Sequence, residues 1–350
     1  ENDQWETELI PSDSDAGDQL GNSVSLEGET ALIGSHLSDP CGTDSGAAYV
    51  FIKNDSTWIQ REKLVPNDGA EYDYFGYSTS IDGDTAIIGA YGDDPCGTNS
   101  GSAYVYIWNG STWIMQDKLV PSDGGSNDYF GYSVAVDGDT AVIGAYGDDP
   151  CGTDSGAIYV FTRSGSEWTQ RYKTWPDDIM LTDNFGYSVD IDGDTIVAGA
   201  YKHDLEGSNA GSAYVYTNNG DYTWSMEKKL TADDNDVNDY FGCSAAVDGD
   251  SIIVGADGDN DSAGAAYVFT RSGSVWTQQQ KIIDIDSHVC EYFGHSVAIE
   301  GSKVLVGAKG DLIGGSRVGS VSNFVMENGT SVWTRDDLIT AMNGKSNDYF

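Results

Sequence analysis

The chain repeats itself with a period of about 55 residues, and this periodicity constrains the fold more than any other feature. A Phe-Gly or Leu-Gly pair opens each complete repeat, and a tryptophan recurs later in the repeat with the same spacing. The repeats start at Leu20, Phe75, Phe130, Phe185, Phe241, Phe293 and Phe350. Two markers that keep one phase indicate tandem copies of one structural unit.

Each repeat contains four short runs of β-forming residues that are separated by turn sequences. In the repeat that starts at Phe130, these runs cover residues 132–136, 140–146, 157–162 and 167–173. The first two are joined by Asp137-Gly138-Asp139, and Asp-Gly is the usual composition of a tight hairpin turn. No segment shows sustained helical periodicity, so helices should be nearly absent. The sequence therefore predicts an all-β chain of four-stranded antiparallel blades, which is a β-propeller.

Seven blades are predicted, with six as the alternative. Six full repeats are present, Phe350 opens a seventh, and the segment around Trp5 matches the fourth strand of a repeat. A terminal strand that completes the last blade removes free sheet edges. Residues 1–350 are thus expected to form a single propeller domain with about six and a half blades, in which residues 1–19 supply the outer strand that closes the last blade.

The charge of the chain argues against several kinds of partner. With 17 Lys and Arg against 57 Asp and Glu, the net charge is −40, which repels nucleic acid and anionic lipid. An aromatic content of 11% argues against a disordered acidic chain. No apolar run is long enough for a membrane helix, so no direct membrane insertion is expected. Sequons lie at Asn54, Asn109, Asn260 and Asn328, which predicts a glycoprotein that is secreted or displayed at the cell surface.

A second motif, Gly-Ala-x, follows the Phe-Gly pair in most repeats, as in Gly89-Ala90-Tyr91 and Gly255-Ala256-Asp257. Together the two motifs resemble the FG-GAP repeat of integrin α-subunit heads over essentially the whole chain. The resemblance implies a seven-bladed propeller that is used for adhesion or ligand display on its top face. The third motif position is never proline here, and the loop that holds calcium in integrins is only Asp-Gly-Asp, so integrin metal residues cannot be transferred. The repeat looks closer to the short FG-GAP variants of bacterial and algal surface proteins.

An acidic residue stands two positions before each repeat start and should form a carboxylate ring on the top face. Two interpretations remain open. The carboxylates accept backbone N–H bonds that fix the turn between blades, or they coordinate a cation or ligand at the mouth of the channel. The ring consists of Asp18, Asp73, Asp128, Asp183, Asp239, Glu291 and Asp348.

The loops between the second and third strands are the strongest candidates for a metal site. Asp257, Asp259 and Asp261 alternate like the start of an EF-hand loop, and Ca²⁺ prefers such oxygen ligands. The pairs Asp93-Asp94 and Asp148-Asp149 offer weaker versions in two other repeats. The sequence therefore predicts Ca²⁺ in at least one of these loops, and solvated acidic loops in the others.

Five cysteines leave at least one thiol without an intramolecular partner. Cys41, Cys96 and Cys151 occupy one loop position in three successive repeats, which predicts free thiols or intermolecular bridges because equivalent points on adjacent blades lie too far apart for a disulfide. Cys243 and Cys290 flank consecutive innermost strands and are a candidate pair.

No catalytic motif stands out in the sequence, and a non-enzymatic function is expected. The leading hypothesis is an extracellular, calcium-dependent adhesion module that binds a protein or glycan through its top-face loops. One alternative is a structural subunit of an extracellular filament or coat that self-assembles. A second alternative is a glycan hydrolase or lyase, because propellers host such enzymes without a local motif.

Overall fold

A computed structural model describes residues 8–204, 208–284, 289–313, 315–327, 330, 332–341 and 344 of the chain. The chain divides into two compact units, residues 1–175 and residues 176–350, and each unit contains three four-stranded antiparallel sheets, hereafter blades 1–3 and blades 4–6.

The first unit contains twelve strands, and in each blade they are hydrogen-bonded in chain order. Blade 1 consists of β1 Leu20–Glu27, β2 Thr30–Ser35, β3 Ala47–Asn54 and β4 Thr57–Leu64. Blade 2 consists of β5 Ser78–Asp82, β6 Thr85–Ala90, β7 Ser102–Trp108 and β8 Trp113–Leu119. Blade 3 consists of β9 Ser133–Asp137, β10 Thr140–Ala145, β11 Ala157–Ser164 and β12 Glu167–Thr174.

The second unit repeats this arrangement and adds three short elements. Blade 4 consists of β13 Phe185–Asp192, β14 Thr195–Ala200, β15 Ser212–Asn218 and β16 Trp224–Leu230. Blade 5 consists of β17 Ser244–Asp248, β18 Ser251–Ala256, the four-residue helix α1 Asp259–Ser262, β19 Ala265–Ser272 and β20 Val275–Ile282. Blade 6 consists of β21 Phe293–Glu300, β22 Lys303–Ala308, the ribbon β23 Leu312–Ile313 and β24 Ser316–Arg317, β25 Ser320–Met326 and β26 Trp333–Ile339.

The core lies between successive blades within each unit. Strands β6 and β14 are buried along their whole length, because both faces of an inner strand pack against neighbouring sheets. In the first unit, Val105 and Leu119 of blade 2 pack with Phe130, Tyr159 and Trp168 of blade 3 in one apolar cluster. The aromatic residues that mark the repeat in the sequence are therefore the side chains that join one blade to the next.

The hairpins between the first and second strands have the predicted glycine conformation. Gly83 and Gly138 have φ of 53° and 54°, a region that costs glycine little. Asp82 Oδ2 also accepts a hydrogen bond of 2.7 Å from the N–H of Gly138 in the next hairpin. The Asp-Gly turns thus link neighbouring blades as well as reversing the chain.

The predicted fold class is confirmed: the protein is all-β, with four-stranded antiparallel blades of a propeller. Six blades are present in the described part of the chain, which is the alternative count. The residues on which the seventh blade depends, Trp5 and Phe350, lie outside the described residues. Within the described ranges, α1 is the one helix, and none has the length and apolarity needed to cross a bilayer.

Candidate functional site

The two glycine motifs of the repeat meet at the contact between neighbouring blades. The Phe130 N–H donates to the carbonyl of Ser100 in the preceding blade at 3.0 Å, and the Phe130 ring is fully buried. The next residue, Gly131, places its carbonyl against Gly89, where a Cβ would lie 1.9 Å from that oxygen. Phe-Gly of one blade and Gly-Ala of the blade before it are therefore two halves of one packing contact.

The acidic residues of the predicted ring close the turns that precede each blade. Asp73 Oδ2 accepts the N–H of Ala70 at 2.6 Å, and Asp239 Oδ2 accepts the N–H of Asp236 at 2.7 Å. The same bond is made by Asp128 to Gly125, Asp183 to Met180 and Asp18 to Asp15. These bonds are the ones expected if the carboxylates fix the turns between blades by accepting backbone N–H bonds. Glu291 is buried at the equivalent position, and Asp348 lies outside the described residues.

Burial changes the acidity of several of these carboxyls. It raises the pKa of Asp73, Asp183 and Asp239 to about 6, although each accepts a backbone N–H that opposes the shift. The pKa of Asp128 is raised for the same reason. A second carboxylate nearby, Asp93 for Asp73 and Asp259 for Asp239, adds to the effect.

A lysine clamp, which sequence reasoning missed, holds the segment before a blade onto that blade. In blade 2, Lys118 Nζ lies 2.6 Å from Asp68 Oδ2 and 2.6 Å from Asp93 Oδ2, and the Tyr104 hydroxyl lies within hydrogen-bond distance of both carboxylates, at 3.1 and 3.2 Å. Burial alone would lower the pKa of Lys118, but its bonds to the two carboxylates outweigh burial and raise it. The same clamp joins Asp123, Asp148, Tyr159 and Lys173 in blade 3, and Asp234, Asp259, Tyr267 and Lys281 in blade 5.

The clamp determines what the predicted metal ligands do. Asp93, Asp148 and Asp259 are each paired with a lysine at 2.6 Å, so a cation would have to displace that ammonium group. Asp94 and Asp149 instead accept backbone N–H bonds that close their own loops, from Asn99 at 2.6 Å and from Asp154 at 2.7 Å.

The alternating aspartates of blade 5 do not share one site. Asp257 Oδ2 lies 2.9 Å from Nδ1 of His295, Asp259 belongs to the clamp, and Asp261 is exposed. In the described ranges, no three His, Cys, Asp or Glu side chains converge closely enough to hold a metal ion. Asp259 and Asp261 do line a cavity of about 920 Å³ together with Asp234, Asp236 and Asp239, hereafter the acidic cleft.

All five cysteines are free thiols in the structure. Cys41, Cys96 and Cys151 are exposed, as expected from their loop position. Cys243 and Cys290, the candidate pair, are not bonded to each other. Cys243 Sγ contacts the carbonyl of Gly294, whereas Cys290 lies in the turn before Phe293 with φ of 68°.

Three of the four predicted sequons are exposed. Asn54 ends β3 and Asn109 lies in the turn between β7 and β8. Asn260 lies within α1 and has φ of 51°. Asn328 lies outside the described residues.

Six half-buried tyrosines of the first unit form a continuous array, hereafter the tyrosine array. It contains Tyr74, Tyr77, Tyr91, Tyr129, Tyr132 and Tyr146. Tyr74 stacks on Tyr91 with ring centroids 5.0 Å apart, and Tyr129 stacks on Tyr146 at the same distance. The hydroxyl of Tyr77 donates to that of Tyr132 at 2.8 Å, which links blade 2 to blade 3.

The array is continued by a buried histidine, and the imidazole of His36 and the hydroxyl of Tyr91 are uncharged at neutral pH. The ring of His36 packs edge-on against Tyr77 at 5.2 Å, and burial lowers the pKa of His36 to about 4, so the imidazole is neutral at physiological pH. Burial and the neighbouring rings raise the pKa of Tyr91, so its hydroxyl remains un-ionised. The array therefore offers aromatic faces and neutral hydrogen-bonding groups rather than charge.

A signal for this array was present in the sequence. Tyrosine directly follows Phe-Gly at Tyr77 and Tyr132, and directly follows Gly-Ala at Tyr91 and Tyr146. Both motifs end at the contact between blades, so the residues after them must meet. This convergence depends on the pairing of neighbouring blades, which periodicity alone does not reveal.

Comparison with protein families identifies the repeat. The FG-GAP repeat model matches residues 5–51, 58–106, 113–161, 168–216, 224–269 and 276–324. The match at 58–106 begins in β4 of blade 1 and ends in β7 of blade 2, so it contains the Phe-Gly and Gly-Ala pairs of blade 2. No curated protein matches the chain.

Proposed function

The chain belongs to the FG-GAP repeat family, whose propellers are modules often involved in binding or adhesion, and from this premise we propose that it is an extracellular module that binds a protein or glycan partner through the tyrosine array. The array is the observation that carries the proposal. Tyrosine is enriched at binding surfaces because its ring supplies large contact area at low entropic cost while its hydroxyl forms hydrogen bonds. Six such rings in mutual contact are positioned before any partner arrives.

The chemistry of the array favours binding over catalysis. General acid–base catalysis needs a group that titrates near the working pH. The hydroxyl of Tyr91 and the imidazole of His36 have pKa values shifted away from neutrality in opposite directions. Their protonation states are thus fixed across the physiological range, which suits recognition. A secreted or surface location is part of the proposal and is supported by the exposed sequons at Asn54 and Asn109.

The proposal is tested by binding of the purified chain to a glycan microarray and to an array of extracellular-matrix proteins. The double variant Tyr74→Ala/Tyr129→Ala removes one ring from each stacked pair and should lower the binding signal at least about tenfold, as expected for interface hot spots. Tyr222→Ala is the matched control, because Tyr222 is 59% exposed and lies in a turn of blade 4 outside the array. Equal binding by both variants would reject the array as the binding surface.

We propose in addition that Ca²⁺ binds in the acidic cleft and supports this function. The support is chemical: five aspartates line one cavity of a chain with a net charge of −40. Lys281 already neutralises Asp259, which disfavours calcium at that carboxylate. Calcium must therefore compete with this lysine or bind the exposed carboxylates of the cleft. Ligand binding at about 100 times its Kd adds about 2.7 kcal/mol to stability. The Tm of the protein should therefore be higher in calcium than in a chelator. Asp261→Asn should reduce this difference in Tm. If calcium leaves the Tm unchanged, calcium binding in the acidic cleft is rejected.

A second candidate function is self-assembly into an extracellular filament or coat. It is supported by the exposed thiols of Cys41, Cys96 and Cys151, which lie on equivalent loops of blades 1, 2 and 3. Exposed thiols form intermolecular disulfides in oxidising compartments. Non-reducing electrophoresis of the secreted protein should then show oligomers that a reductant dissolves, and a monomer alone would count against assembly through these thiols.

A further inference from the structure

A second cavity, of about 220 Å³, is lined by residues of blades 4, 5 and 6 in the second unit. Its walls are the half-buried rings of Tyr187, Tyr201, Tyr240 and Tyr292. Tyr187 and Tyr201 pack with ring centroids 4.1 Å apart. The cavity therefore has a continuous aromatic wall on the blade 4 side.

The cavity exists because the repeat changes at two positions. Blades 2, 3 and 4 have tyrosine after both Phe-Gly and Gly-Ala. Blade 5 has Cys243 and Asp257 at these positions, and blade 6 has His295 and Lys309. Four side chains that are smaller than tyrosine thus stand where other blades have tyrosine, which leaves space and brings polar groups together.

The polar groups of the cavity are paired with one another. Asp257 Oδ2 lies 2.9 Å from Nδ1 of His295, and Lys309 Nζ lies 3.2 Å from the same nitrogen. One carboxylate and one ammonium group largely cancel, so the cavity is close to neutral in a chain with a net charge of −40. Between them, these side chains can both donate and accept hydrogen bonds.

We propose that this cavity binds one neutral sugar residue, such as the terminal hexose of a glycan. A sugar ring has a C–H face that stacks on an aromatic ring and an edge of hydroxyls that bond to polar side chains. Asp257 accepts from these hydroxyls, Lys309 donates to them, and the tyrosine wall takes the C–H face. The volume is below the about 300–1,000 Å³ of pockets for drug-sized ligands, so one ring fits rather than a longer oligosaccharide. The balanced charge disfavours an ionic ligand.

The thiol in the cavity does not point to a covalent enzyme. Burial raises the pKa of Cys243 well above its ordinary value, so the sulfur stays a thiol, and it contacts the carbonyl of Gly294 at 3.6 Å. A cysteine nucleophile needs thiolate character, which a cationic neighbour or a helix N-terminus usually provides. Reversible binding is the function that these residues support.

The test is isothermal titration and saturation-transfer NMR of the purified chain with D-glucose, D-galactose, D-mannose, L-fucose and N-acetyl-D-glucosamine. At least one neutral sugar should bind saturably with a Kd of about 0.1–10 mM, and Asp257→Asn and Lys309→Met should each weaken it about tenfold or more. D-Glucuronate and D-glucosamine are included as charged probes. Binding of the charged probes alone, or of none of the sugars at about 50 mM, overturns the proposal.

Two further variants separate the site from general effects on the fold. Asp257→Tyr restores the residue of blades 2–4 and should fill the cavity, so sugar binding should be lost while the thermal transition is kept. Asp194→Asn makes the same charge change as Asp257→Asn at an exposed position in the hairpin between β13 and β14, and it should leave binding unchanged. Equal weakening by Asp257→Asn and Asp194→Asn would overturn the assignment. Neither Tyr74 nor Tyr129 lines the cavity, so Tyr74→Ala/Tyr129→Ala should not affect sugar binding, which keeps the two proposals separable.

Discussion

Glycines of the inner strands decide how closely neighbouring blades approach. A Cβ on Gly89 would lie 1.9 Å from the carbonyl oxygen of Gly131 and 2.3 Å from Ser78 Oγ. Gly34 and Gly255 face the same backbone contact in blades 1 and 5. Since the contact is with backbone, a side chain can be accommodated only if a whole sheet moves.

Gly89→Ala should therefore destabilise the protein by about 1–3 kcal/mol or more, because overpacking forces backbone shifts. The measurement is urea unfolding followed by tryptophan fluorescence. Gly307→Ala is the matched control: a Cβ there meets the Ser296 hydroxyl at 2.3 Å, and a hydroxyl can rotate away. A Gly307→Ala protein that is as unstable as Gly89→Ala would contradict this account.

In blades 2, 3 and 5, the lysine clamp ties the strands of the blade to the segment that precedes it. In blade 2, the last strand contributes Lys118, the third strand Tyr104, the loop between strands Asp93 and the preceding segment Asp68. Blade 4 keeps the lysine and tyrosine as Lys229 and Tyr214, but His203 replaces the loop aspartate. Burial and the nearby Lys229 lower the pKa of His203, so a neutral ring takes the place of the carboxylate.

Lys118→Met should cost about 1–3 kcal/mol, because it leaves the buried carboxylate of Asp93 without its counter-ion, whereas solvent screens the half-exposed carboxylate of Asp68. Lys228→Met removes the same charge from an exposed position of blade 4 and should change stability by less than about 0.5 kcal/mol. Chemical unfolding of both variants measures the difference. Similar losses of unfolding free energy in the two variants would mean that removal of one positive charge, and not loss of the clamp, lowers stability.

The whole molecule combines buried carboxyls with half-exposed carboxyls that are paired with lysine, and their opposite pKa shifts predict how stability depends on pH. Asp73, Asp183 and Asp239 have pKa values of about 6, raised by burial from 3.8. A carboxyl that holds its proton more tightly in the folded chain adds stability below its unfolded pKa and loses it as the pH rises through about 6. The clamp carboxyls have lowered pKa values, since their bonds to lysine outweigh burial, so their contribution is lost when the pH falls below about 4. They include Asp68, Asp123 and Asp234.

The Tm should consequently rise as the pH is lowered from about 7.5 to 5 and should fall again below about 4. Protonation of carboxylates between pH 7.5 and 5 also reduces the repulsion within a chain of net charge −40, and this too should raise the Tm. Circular-dichroism melts at constant ionic strength measure the profile. In the triple variant Asp73→Asn/Asp183→Asn/Asp239→Asn, the rise between pH 7 and 5 should flatten, and an unchanged rise would assign it to net charge alone.

Much of the fold follows from the sequence because its information is local. Phe-Gly, Asp-Gly-Asp and Gly-Ala each specify backbone within a few residues, and their constant spacing places four strands in every repeat. The acidic residue before each repeat is equally local, since the carboxylate of Asp73 bonds to Ala70 only three residues away. Strand positions, turn conformations and the blade type could thus be predicted.

The candidate sites could not be predicted in this way, because each joins residues from different repeats. Lys118 pairs with Asp68, which lies fifty positions earlier in the chain, and Tyr77 meets Tyr132 across a full repeat. Within single blades, pairing of the loop after the second strand with the last strand gave Asp93, Asp148 and Asp259 a lysine partner where the sequence predicted a metal. Sequence by itself determined what each blade is, since strands and turns depend on near neighbours. Only the tertiary structure decided which side chains face one another between blades, because that depends on how the sheets pack.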